Sequence, residues 1–580
     1  MRVVIQEVQA ISPAKFFADN RSIAGFGNPA KALYTSIREL VENSLDAAEY
    51  ARIFPEIRVR LTRLSKDELK EIIGISEDID KRLKELIKEK KKREDNKEEE
   101  EVSEIFELIV ADNGSGMAYN EIPILMGRVL TSTKYVLMQQ RGRFGLGGKM
   151  VIIYSIQETN APVEIWSARK QDNFISHYVL KIDLHKNEPI IRKAEKIPKK
   201  KFRDVWGRRL NQGTIIRVYI LGDWPRSRRY ILEYFKQMAI ITPYATFIFE
   251  DPDGNVHIYE RVTEEMPPPP KPTQYHLQGI DTQILTSLLK KTKAKTIKDF
   301  LTREFQRIGP KMAEAFLMVV GIDPKTPVNE ITQNDKIIAA IVETARKFKL
   351  RSPDSNCLSP IGQKLLIEGI KKVLSPEFVY VVQRNPFAYA GHPMIVEIGI
   401  AYGGGVEPGI HLYRFANRVP LLYKEKSDVA WKVIESIDWS RYKIKRDEDP
   451  IAIFVSVVST KIPFSETSKD FIDDVDILRK NIKLGLLEGL RKLKEFLSRK
   501  EKAMRQIKKR QMFIQYAGNI VRSISSIVKS DSRYKDWPEI LEDNLYARLM
   551  DLIDEKLQLG ATKTVEEVSE DMQASGDMSE

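Results

Sequence analysis

The spacing of apolar residues predicts a chain of mixed helices and strands, beginning with an amphipathic helix over residues 30–50. Its apolar face recurs at helical spacing through Leu33, Ile37, Leu40 and Val41. Pro29 suits the first turn, where a helix needs no backbone N–H donor. Two apolar runs, IRVRLT at 57–62 and IFELIVAD at 105–112, are typical of strands.

A densely charged stretch from Lys66 to Glu104 lies between these two predicted strands. It contains KEKKKRED followed by EEEE and has no sustained apolar face. The pattern therefore predicts a helical insertion that is exposed to solvent and decorates the domain.

The next segment alternates short apolar runs with turns. A glycine-rich loop spans 142–148, and strands are predicted near 151–157, 162–168, 175–183 and 213–221. The run PPPPKP at 267–272 is typical of a stiff, extended linker. Residues 275–345 carry short helical stripes.

Strands return from about residue 375, in FVYVVQR, MIVEIGIAYGG, IHLYRFANRV and IAIFVSVVSTKIP. A long basic helix is then predicted over 468–515, with an apolar face made of Ile482, Leu486, Leu490, Leu493 and Phe496. Helical spacing continues through 511–563, and the acidic last residues, 564–580, are expected to be disordered.

Composition narrows the class of protein. Hydrophobic residues make up 42% and charged residues 30% of the 580 positions, which is typical of a globular protein. No apolar run approaches the roughly 18 residues of a membrane span, and MRVVIQEVQA lacks the pattern of a signal peptide. The single cysteine, Cys357, excludes an internal disulfide and a cysteine-rich metal site, and six histidines leave little room for a zinc site. We therefore expect a cytoplasmic protein.

The charge balance points to an anionic partner. The formal net charge is +12, and the tail 564–580 holds six acids and no bases, so the remainder carries +18. Nucleic acid is the first candidate for a partner of such a basic body. A basic surface that only keeps the protein soluble is the alternative.

Three polar clusters are candidates for chemistry. Glu39 and Asn43 lie four residues apart on one helix face, with Asp46 nearby, where they could orient water and Mg²⁺ or simply form a polar surface. Asp112 opens DNGSGM, which suits close approach of a flat ligand but is also an ordinary turn. The glycines of 142–149 leave backbone amides available to phosphates, although neither a P-loop nor a Rossmann turn is present.

Taken in order, these clusters resemble the motifs of the GHKL ATPases, the superfamily of gyrase, heat-shock chaperones, histidine kinases and MutL. The matching patterns are E-x3-N-x2-D-A, D-x-G-x-G, G-x2-G-x-G and a late Gly213-Thr214. Over about residues 10–500 the chain is further similar to the B subunits of archaeal DNA topoisomerase VI. Segments that carry this resemblance are ISPAKFFADNRSIAGFGNPAKALYTSIRELVENSLDA, TKAKTIKDFLTREFQRIGPKMAEAFLMVVGIDP, NCLSPIG, RFANRVPLLY and STKIPF.

The resemblance implies an α+β fold class built around a Bergerat-type GHKL ATPase α/β sandwich. It also implies a helix-two-turn-helix domain, a transducer like the second domain of ribosomal protein S5, and a long C-terminal helix. The expected parts are a strap (1–20), the ATPase domain (21–266, with the insertion 66–104), the helix-two-turn-helix domain (267–348), the transducer (349–467), its stalk helix (468–515), a helical region (516–563) and the tail (564–580).

The resemblance also implies ATP and Mg²⁺ as cofactors and assigns roles to single residues. Glu39 is expected to be the general base, Asn43 the ligand of a phosphate-bound Mg²⁺, and Asp112 the reader of adenine. Lys461 of STKIP is expected to reach the γ-phosphate from the transducer. The remaining implied ATP-binding residues are Asp46, Gly114, Gly116, Met117, Thr133, Lys134, Gly142, Arg143, Phe144, Gly145, Leu146, Gly147, Gly148, Lys149 and Thr214.

Three basic clusters are expected to contact DNA phosphates, in a manner independent of sequence and sensitive to salt. They are a loop with Arg208 and Arg209, the helical-domain lysines Lys291, Lys293 and Lys295, and a motif with Trp439, Arg441 and Tyr442. In that motif Ser440 replaces the lysine of the family pattern. Ordinary solvated basic surface is the alternative for each cluster.

For function, the resemblance implies the ATPase subunit of a type IIB topoisomerase. ATP-driven dimerisation of two such chains would clamp duplex DNA and drive strand passage through a double-strand break. The break would be made by a separate A subunit in an A2B2 heterotetramer, and DNA would be relaxed and decatenated. The alternatives are a MutL-like mismatch-repair ATPase and a GHKL scaffold that does not hydrolyse ATP.

Overall fold

The computed structural model describes residues 11–65, 104–131, 136–142, 146–465, 469–531 and 540–557, with Glu68 and Ile72 as isolated positions. Some sequence predictions lie outside this part of the chain and stay predictions. They concern residues 1–10 of the strap, most of the insertion 66–104, the tail 564–580, and the residues Thr133, Lys134, Arg143, Phe144 and Gly145.

The first structural unit is a twisted sheet with helices packed on it. Its elements are α1 (Pro13–Asp19), α2 (Pro29–Tyr50), β1 (Glu56–Arg63), β2 (Glu104–Asp112), α3 (Ile122–Gly127), α4 (Gly147–Thr159), β3 (Val163–Ala168), β4 (Phe174–Asp183), β5 (Glu188–Pro198), β6 (Gly213–Gly222), α5 (Trp224–Ile241), β7 (Thr246–Glu250) and β8 (Val256–Tyr259). The described strands lie in the order β5-β4-β3-β6-β2-β1-β7-β8. All neighbours are antiparallel except β1 and β7.

Helix α2 forms as its sequence predicts. Asn28 caps its N-terminus, where the side-chain oxygen accepts a hydrogen bond from the Lys31 backbone N–H at 2.8 Å, and Pro29 occupies the first turn. The predicted apolar face is completely buried against the sheet, through Leu33, Ile37, Leu40 and Val41. The polar residues between these positions are therefore held at fixed places along one edge of the core.

One predicted strand is a helix. Residues 151–157, expected to form a strand, lie within α4. Val151, Ile152 and Ile153 are all fully buried, so this part of α4 is covered on most sides and carries no amphipathic stripe. A short run of consecutive β-branched residues cannot be told from a strand by periodicity alone, which explains the error.

The second unit is helical, as the stripes over 275–345 predict. It consists of α6 (Thr282–Lys291), α7 (Ile297–Glu304), α8 (Pro310–Val320), α9 (Val328–Thr332) and α10 (Asp335–Lys347). Its core, which includes Leu285, Phe300, Phe316 and Ile341, forms a hydrophobic cluster of its own. These helices therefore form a separately packed module, which lies between the two sheet units along the chain.

The third unit is a second sheet with helices on it. Its elements are α11 (Gln363–Leu374), β9 (Phe378–Gln383), β10 (Phe387–Tyr389), β11 (His392–Tyr402), β12 (Gly409–Ala416), β13 (Val419–Pro420), α12 (Val429–Glu435), β14 (Pro450–Ser459), α13 (Asp476–Ser530) and α14 (Ile540–Leu557). The described strands lie in the order β10-β11-β14-β12-β13, with β9 paired to β11. The two sheets and their helices confirm the α+β fold class.

Helix α13 packs on this sheet through the predicted apolar residues, all of them buried: Ile482, Leu486, Leu490, Leu493 and Phe496. The helix is unbroken for 55 residues and ends at Ser530, past the predicted end of the stalk at 515. Within the described ranges, no helix combines the length and the apolar character needed to cross a membrane, α13 included.

The first and third units share one continuous hydrophobic core. Helix α11 of the third unit packs directly on α5 of the first. A Cβ atom added at Gly369 would lie 1.9 Å from the Ile240 carbonyl oxygen, so the two helix backbones touch. The contact requires glycine because any side chain would separate the helices.

The ends of the charged insertion meet at the end of one strand pair, which makes its removal testable. Arg63 of β1 faces Phe106 of β2, and the Leu64 N–H donates to the Ile105 carbonyl at 2.9 Å. A short turn can therefore close the pair at little entropic cost. Replacing residues 66–103 with Asn-Gly should leave the thermal midpoint within about 5 °C of the wild type. Calorimetry checks this, and a variant that fails to fold would show that the insertion is part of the structure.

Candidate functional site

The centre of the candidate site is the contact between α2 and the N-terminus of α4. A Cβ atom added at Gly147 would lie 1.6 Å from the Glu39 Oε2 atom. One added at Gly148 would lie 3.1 Å from the Asn43 Nδ2 atom. Only glycine at Gly147 permits this approach. The unpaired amides and positive dipole end of α4 therefore lie beside a carboxylate and an amide side chain, an arrangement that suits an anion.

Glu39 is held in place by its neighbours on α2. The Arg38 Nη2 atom pairs with Glu39 Oε1 at 2.6 Å, and the Arg38 Nε atom lies 3.5 Å from Glu42 Oε1. Burial raises the pKa of the Glu42 carboxyl above its usual range. Asn43, in contrast, is exposed between the buried residues Glu42 and Ser44. An exposed amide in an otherwise buried stretch is available to a ligand.

Asp112 lies where β2 ends. Its Oδ1 atom accepts hydrogen bonds from the backbone N–H groups of Gly114, at 2.8 Å, and Thr214, at 3.1 Å. Burial raises the pKa of Asp112 to about 6, although these hydrogen bonds lower it. Gly213 has φ +120°, and a Cβ atom there would lie 2.0 Å from the Asp112 carbonyl oxygen. The turn that holds Asp112 therefore depends on the adjacent strand β6.

The glycines after Asp112 fit tightly between α2 and β3. A Cβ atom at Gly114 would lie 2.8 Å from Ala47 Cβ. Gly116 has φ +68°, and a Cβ atom there would lie 2.1 Å from the Ala168 carbonyl oxygen. Met117 follows, partly buried against the main core. This segment thus presents backbone edges and little side-chain bulk, as a flat ligand requires.

Thr214 joins the same region through a buried hydroxyl pair. Its Oγ1 atom lies 2.9 Å from the Ser167 Oγ atom, which also accepts a hydrogen bond from the Met117 N–H at 2.8 Å. Strands β3 and β6 are therefore tied to the glycine turn through two hydroxyl groups. The structure brings Asp112 and Thr214 together at one end of the first sheet, and the side chain of Ser44, the residue after Asn43 on α2, hydrogen-bonds to Asp112. Glu39 lies one turn before Asn43 on the same helix.

Asp46 lies in an ion cluster at the base of the glycine-rich loop. Its Oδ1 atom pairs at 2.7 Å with Arg141, the residue before Gly142. Arg141 also pairs with Glu49 at 2.6 Å, and Arg418 of the third unit pairs with Glu49 at 3.1 Å. Burial alone would raise the pKa of Glu49, but the two guanidinium groups hold it below its usual range. In this structure Asp46 therefore anchors the start of the loop.

Lys149, at the other end of the loop, is buried. Its Nζ atom donates to the Thr131 carbonyl oxygen. Burial lowers the pKa of Lys149 to about 8. Between the two ends the structure describes Gly142 and the segment from Leu146 to Gly148.

The loop that carries Lys461 faces this site. Lys461 is exposed just after β14, and its backbone N–H donates to Ser459 Oγ at 3.1 Å. Farther along the same loop, the Lys469 Nζ atom donates to the Arg141 carbonyl oxygen at 3.3 Å. Asp470 pairs at 2.8 Å with Lys31 of α2. The third unit thus folds back onto the first, next to the glycine-rich loop.

The predicted DNA contacts differ in exposure. Arg208 pairs with Glu56 at 2.8 Å and with Asp204 at 3.1 Å, whereas Arg209 is exposed and lines a cavity with Lys170. The helical-unit lysines are all exposed: Lys291, Lys293 and Lys295. These cations are accessible to a polyanion.

The aromatic members of the third cluster require a correction. Trp439 and Tyr442 are each 7% exposed and belong to the core beneath α13. The Trp439 indole N–H donates to the Ile434 carbonyl at 3.3 Å, and this hydrogen bond holds the ring in the core of the third unit. The sequence motif gave no sign of this burial. Only Arg441 of the three predicted residues is exposed for contact.

Sequence reasoning missed the residues that join the two sheets: Glu49, Arg141, Tyr244, Asn417 and Arg418. Two of them, Asn417 and Arg418, were quoted within RFANRVPLLY without a role. An Asn-Arg pair between two apolar runs is a weak turn signal, and it could have pointed to a hairpin turn but not to its burial.

Comparison with known proteins gives two levels of similarity. The ATPase region of Saccharomyces cerevisiae topoisomerase II aligns with a TM-score of 0.35 at 10% identity, covering 80% of this chain and 89% of that one. The gyrase B-subunit of Myxococcus xanthus aligns with a TM-score of 0.37 at 9% identity, covering 83% and 95%. Likeness at this level supports no assignment.

Sequence relatives are much closer. The family described as "Topoisomerase VI B subunit, transducer" matches residues 353–509. The B subunit of type 2 DNA topoisomerase 6 from Metallosphaera sedula is 38% identical over 558 residues, or 96% of both chains. That of Saccharolobus islandicus is also 38% identical over 558 residues and 96% of both chains. Matched almost end to end by such relatives, this chain belongs to the family of type 2 DNA topoisomerase 6 B subunits.

Proposed function

We propose that this chain is the ATP-binding and ATP-hydrolysing subunit of a type 2 DNA topoisomerase. The observation that carries the proposal is the contact of Gly147 and Gly148 with Glu39 and Asn43. It joins a helix N-terminus, which attracts phosphate, to a carboxylate that can activate water. Membership of the topoisomerase 6 family supplies the reaction class.

Base recognition is assigned to Asp112. A carboxylate can accept a hydrogen bond from the exocyclic amine of adenine, and Gly114 and Gly116 leave room for a ring beside it. Asp112 is fixed by the N–H groups of Gly114 and Thr214, so its orientation does not depend on the ligand. Adenine would therefore meet an acceptor that is already in position.

Phosphate binding is assigned to the amides at the start of α4 and to the glycine-rich loop. The residues fit a phosphate-bound Mg²⁺, because the exposed Asn43 side chain offers an amide oxygen beside the amides of α4. Mg²⁺ neutralises charge on the phosphate oxygens during transfer. Glu39, held by Arg38, would orient the attacking water and accept its proton.

Lys461 is proposed to sense the γ-phosphate. Its loop reaches the first unit through Lys469 and Asp470, so a movement of the loop toward α4 would bring a positive charge to the phosphates. Loss of the γ-phosphate would remove the partner of that charge. The angle between the two sheets would then depend on the bound nucleotide.

The partners proposed are a second copy of this chain, a separate A subunit in an A2B2 assembly, and duplex DNA. Two copies closing on ATP would clamp the duplex, while the A subunit cuts it and a second duplex passes through. The exposed cations Arg209, Lys291, Lys293, Lys295 and Arg441 support contact with DNA phosphates. The result would be relaxation and decatenation of DNA.

The two alternatives lose support. A MutL-like repair ATPase does not fit a chain matched over 96% of its length by topoisomerase subunits. A scaffold without hydrolysis does not explain why Glu39 lies directly against a glycine helix start.

Glu39→Gln tests the proposed general base. Glutamine keeps the size of the side chain but cannot accept a proton, so steady-state phosphate release should fall about 10²- to 10⁴-fold. Affinity for a non-hydrolysable ATP analogue should stay nearly unchanged. Glu343→Gln, an exposed glutamate of α10 paired to Lys347, is the matched control. Turnover close to that of the wild type would refute the assignment of Glu39.

The pKa of Asp112 predicts a pH dependence of nucleotide binding. Burial raises this pKa to about 6 in the unliganded protein, and an amine donor prefers the ionised carboxylate. The contribution of Asp112 to ADP affinity should therefore be constant well above pH 6 and fall up to about tenfold per pH unit below it. Calorimetric titrations from pH 5 to 7.5 measure this.

Asp112→Asn is the control for this titration, because ADP phosphates also titrate in the range. The variant keeps an oxygen acceptor but has no carboxyl proton to gain. Its affinity should follow only the titration of ADP, and the wild type should show an additional loss below pH 6. Parallel profiles for the two proteins would contradict a role for Asp112 in binding the base.

Lys461→Ala should uncouple nucleotide binding from domain movement. We expect weakened turnover, modestly changed nucleotide affinity and lost DNA relaxation with the A subunit, because base recognition through Asp112 survives. Small-angle scattering with a non-hydrolysable ATP analogue should show the wild type becoming more compact and the variant keeping its shape. Lys445→Ala, an exposed lysine paired to Glu448, is the control. Compaction and relaxation like the wild type would make Lys461 an ordinary surface lysine.

A further inference from the structure

The hairpin between β12 and β13 has an unusual two-residue turn. Ala416 pairs with Val419, so Asn417 and Arg418 alone form the connection. Both have left-handed backbones, with φ 50° and φ 65°. Such a turn favours asparagine at the first position and glycine at the second. Arginine at the second position is strained, so the surrounding contacts must hold it there.

Asn417 joins two loops of the proposed ATP site with one amide group. Its Nδ2 atom donates to the Gln140 carbonyl oxygen at 3.0 Å, two residues before Gly142. Its Oδ1 atom accepts from the Ser459 N–H at 2.9 Å, two residues before Lys461. The base of the glycine-rich loop and the base of the Lys461 loop are therefore linked through a single side chain.

Arg418 anchors the same turn in the first unit. Its Nη2 atom pairs with Glu49 Oε2 at 3.1 Å, and its Nη1 atom donates to the Tyr244 hydroxyl at 3.0 Å. Glu49 also holds Arg141, so one carboxylate binds both the turn and the residue before the glycine-rich loop. Arg418 is only 4% exposed, and burial makes the loss of either charge costly.

We propose that the Asn417–Arg418 turn is a positioning element for ATP hydrolysis. It sets the glycine-rich loop and the Lys461 loop in one relative arrangement, so that both reach the phosphates together. The turn touches no reacting atom and acts through Lys461. This inference rests on the proposed function. It adds to that function a direct link between the glycine-rich loop and the Lys461 loop through the Asn417 side chain.

Asn417→Gly tests the inference without disturbing the backbone, because glycine suits a left-handed position. We expect kcat for ATP hydrolysis to fall about tenfold, with KM changed less than about threefold. The thermal midpoint should fall by no more than about 5 °C, because two hydrogen bonds are lost. Asn160→Gly is the matched control, since Asn160 is also left-handed, with φ 53°, at the far end of α4. It should hydrolyse ATP like the wild type.

The decisive measurement repeats Asn417→Gly in the Lys461→Ala background. If the turn acts through Lys461, the second substitution adds no further loss. The inference would be overturned if the losses in kcat of the two single variants multiply in the double variant. It would also be overturned if Asn417→Gly alone has the kcat of the wild type. Asn417→Asp, which keeps the acceptor for Ser459 but not the donor to Gln140, should behave like Asn417→Gly. A failure of the proposed function would be recognised by a different result, namely that Glu39→Gln leaves ATP hydrolysis unchanged.

Discussion

The close approach of α4 to α2 is the constraint on which the remaining architecture depends. Gly147 allows the start of one helix to touch a carboxylate of the other, and this contact fixes where an anion can bind. The Asp112 turn packs on the same helix through Gly114 and Ala47. Helix α2 is therefore the reference for the proposed positions of the base, the phosphates and the attacking water, and its own position is set by its buried apolar face.

The same helix also connects the two sheets. Glu49 lies on its last turn and pairs with two buried guanidinium groups, one from each unit. Farther away, α11 touches α5 at Gly369 and gives the units a common core. The apolar contact holds the sheets together, whereas the ion cluster fixes their relative position near the proposed nucleotide site. A change in angle between the sheets must therefore pivot near the first contact and alter the second.

The periodicity of apolar residues predicted the elements that are buried along one face only. Helix α2, the first half of α13 and strand β1 were found because burial alternates along them. Strand β2 is buried on both faces and was found instead as a continuous apolar run. Helix α4 was mistaken for a strand because it is covered on most sides. The burial of Trp439 could not be found, since a motif specifies residue types and not their surroundings.

The site was predictable only as far as its residues lie close together in sequence. Glu39 and Asn43 share a helix face, and Asp112 opens a glycine turn, so local patterns made them candidates. The order of these motifs along the chain then implied their roles. The pairing of Glu49 with Arg418 joins residues 369 positions apart, and no local pattern specifies which charges meet over that distance. Only the folded arrangement of the two sheets brings them together.

The unbroken length of α13 has a mechanical consequence. Its packing on the sheet extends to about Phe496, and the helix continues to Ser530, which at about 1.5 Å per residue leaves an arm of roughly 50 Å. A rotation of about 10° at the sheet would move the far end by roughly 9 Å. Each residue also turns the helix by about 100° about its axis. The arm therefore determines which side chains face a partner at its far end, as well as how far that end moves. The number of residues in the arm therefore determines which direction its far end faces. Adding a single residue would rotate that end by about 100° about the helix axis.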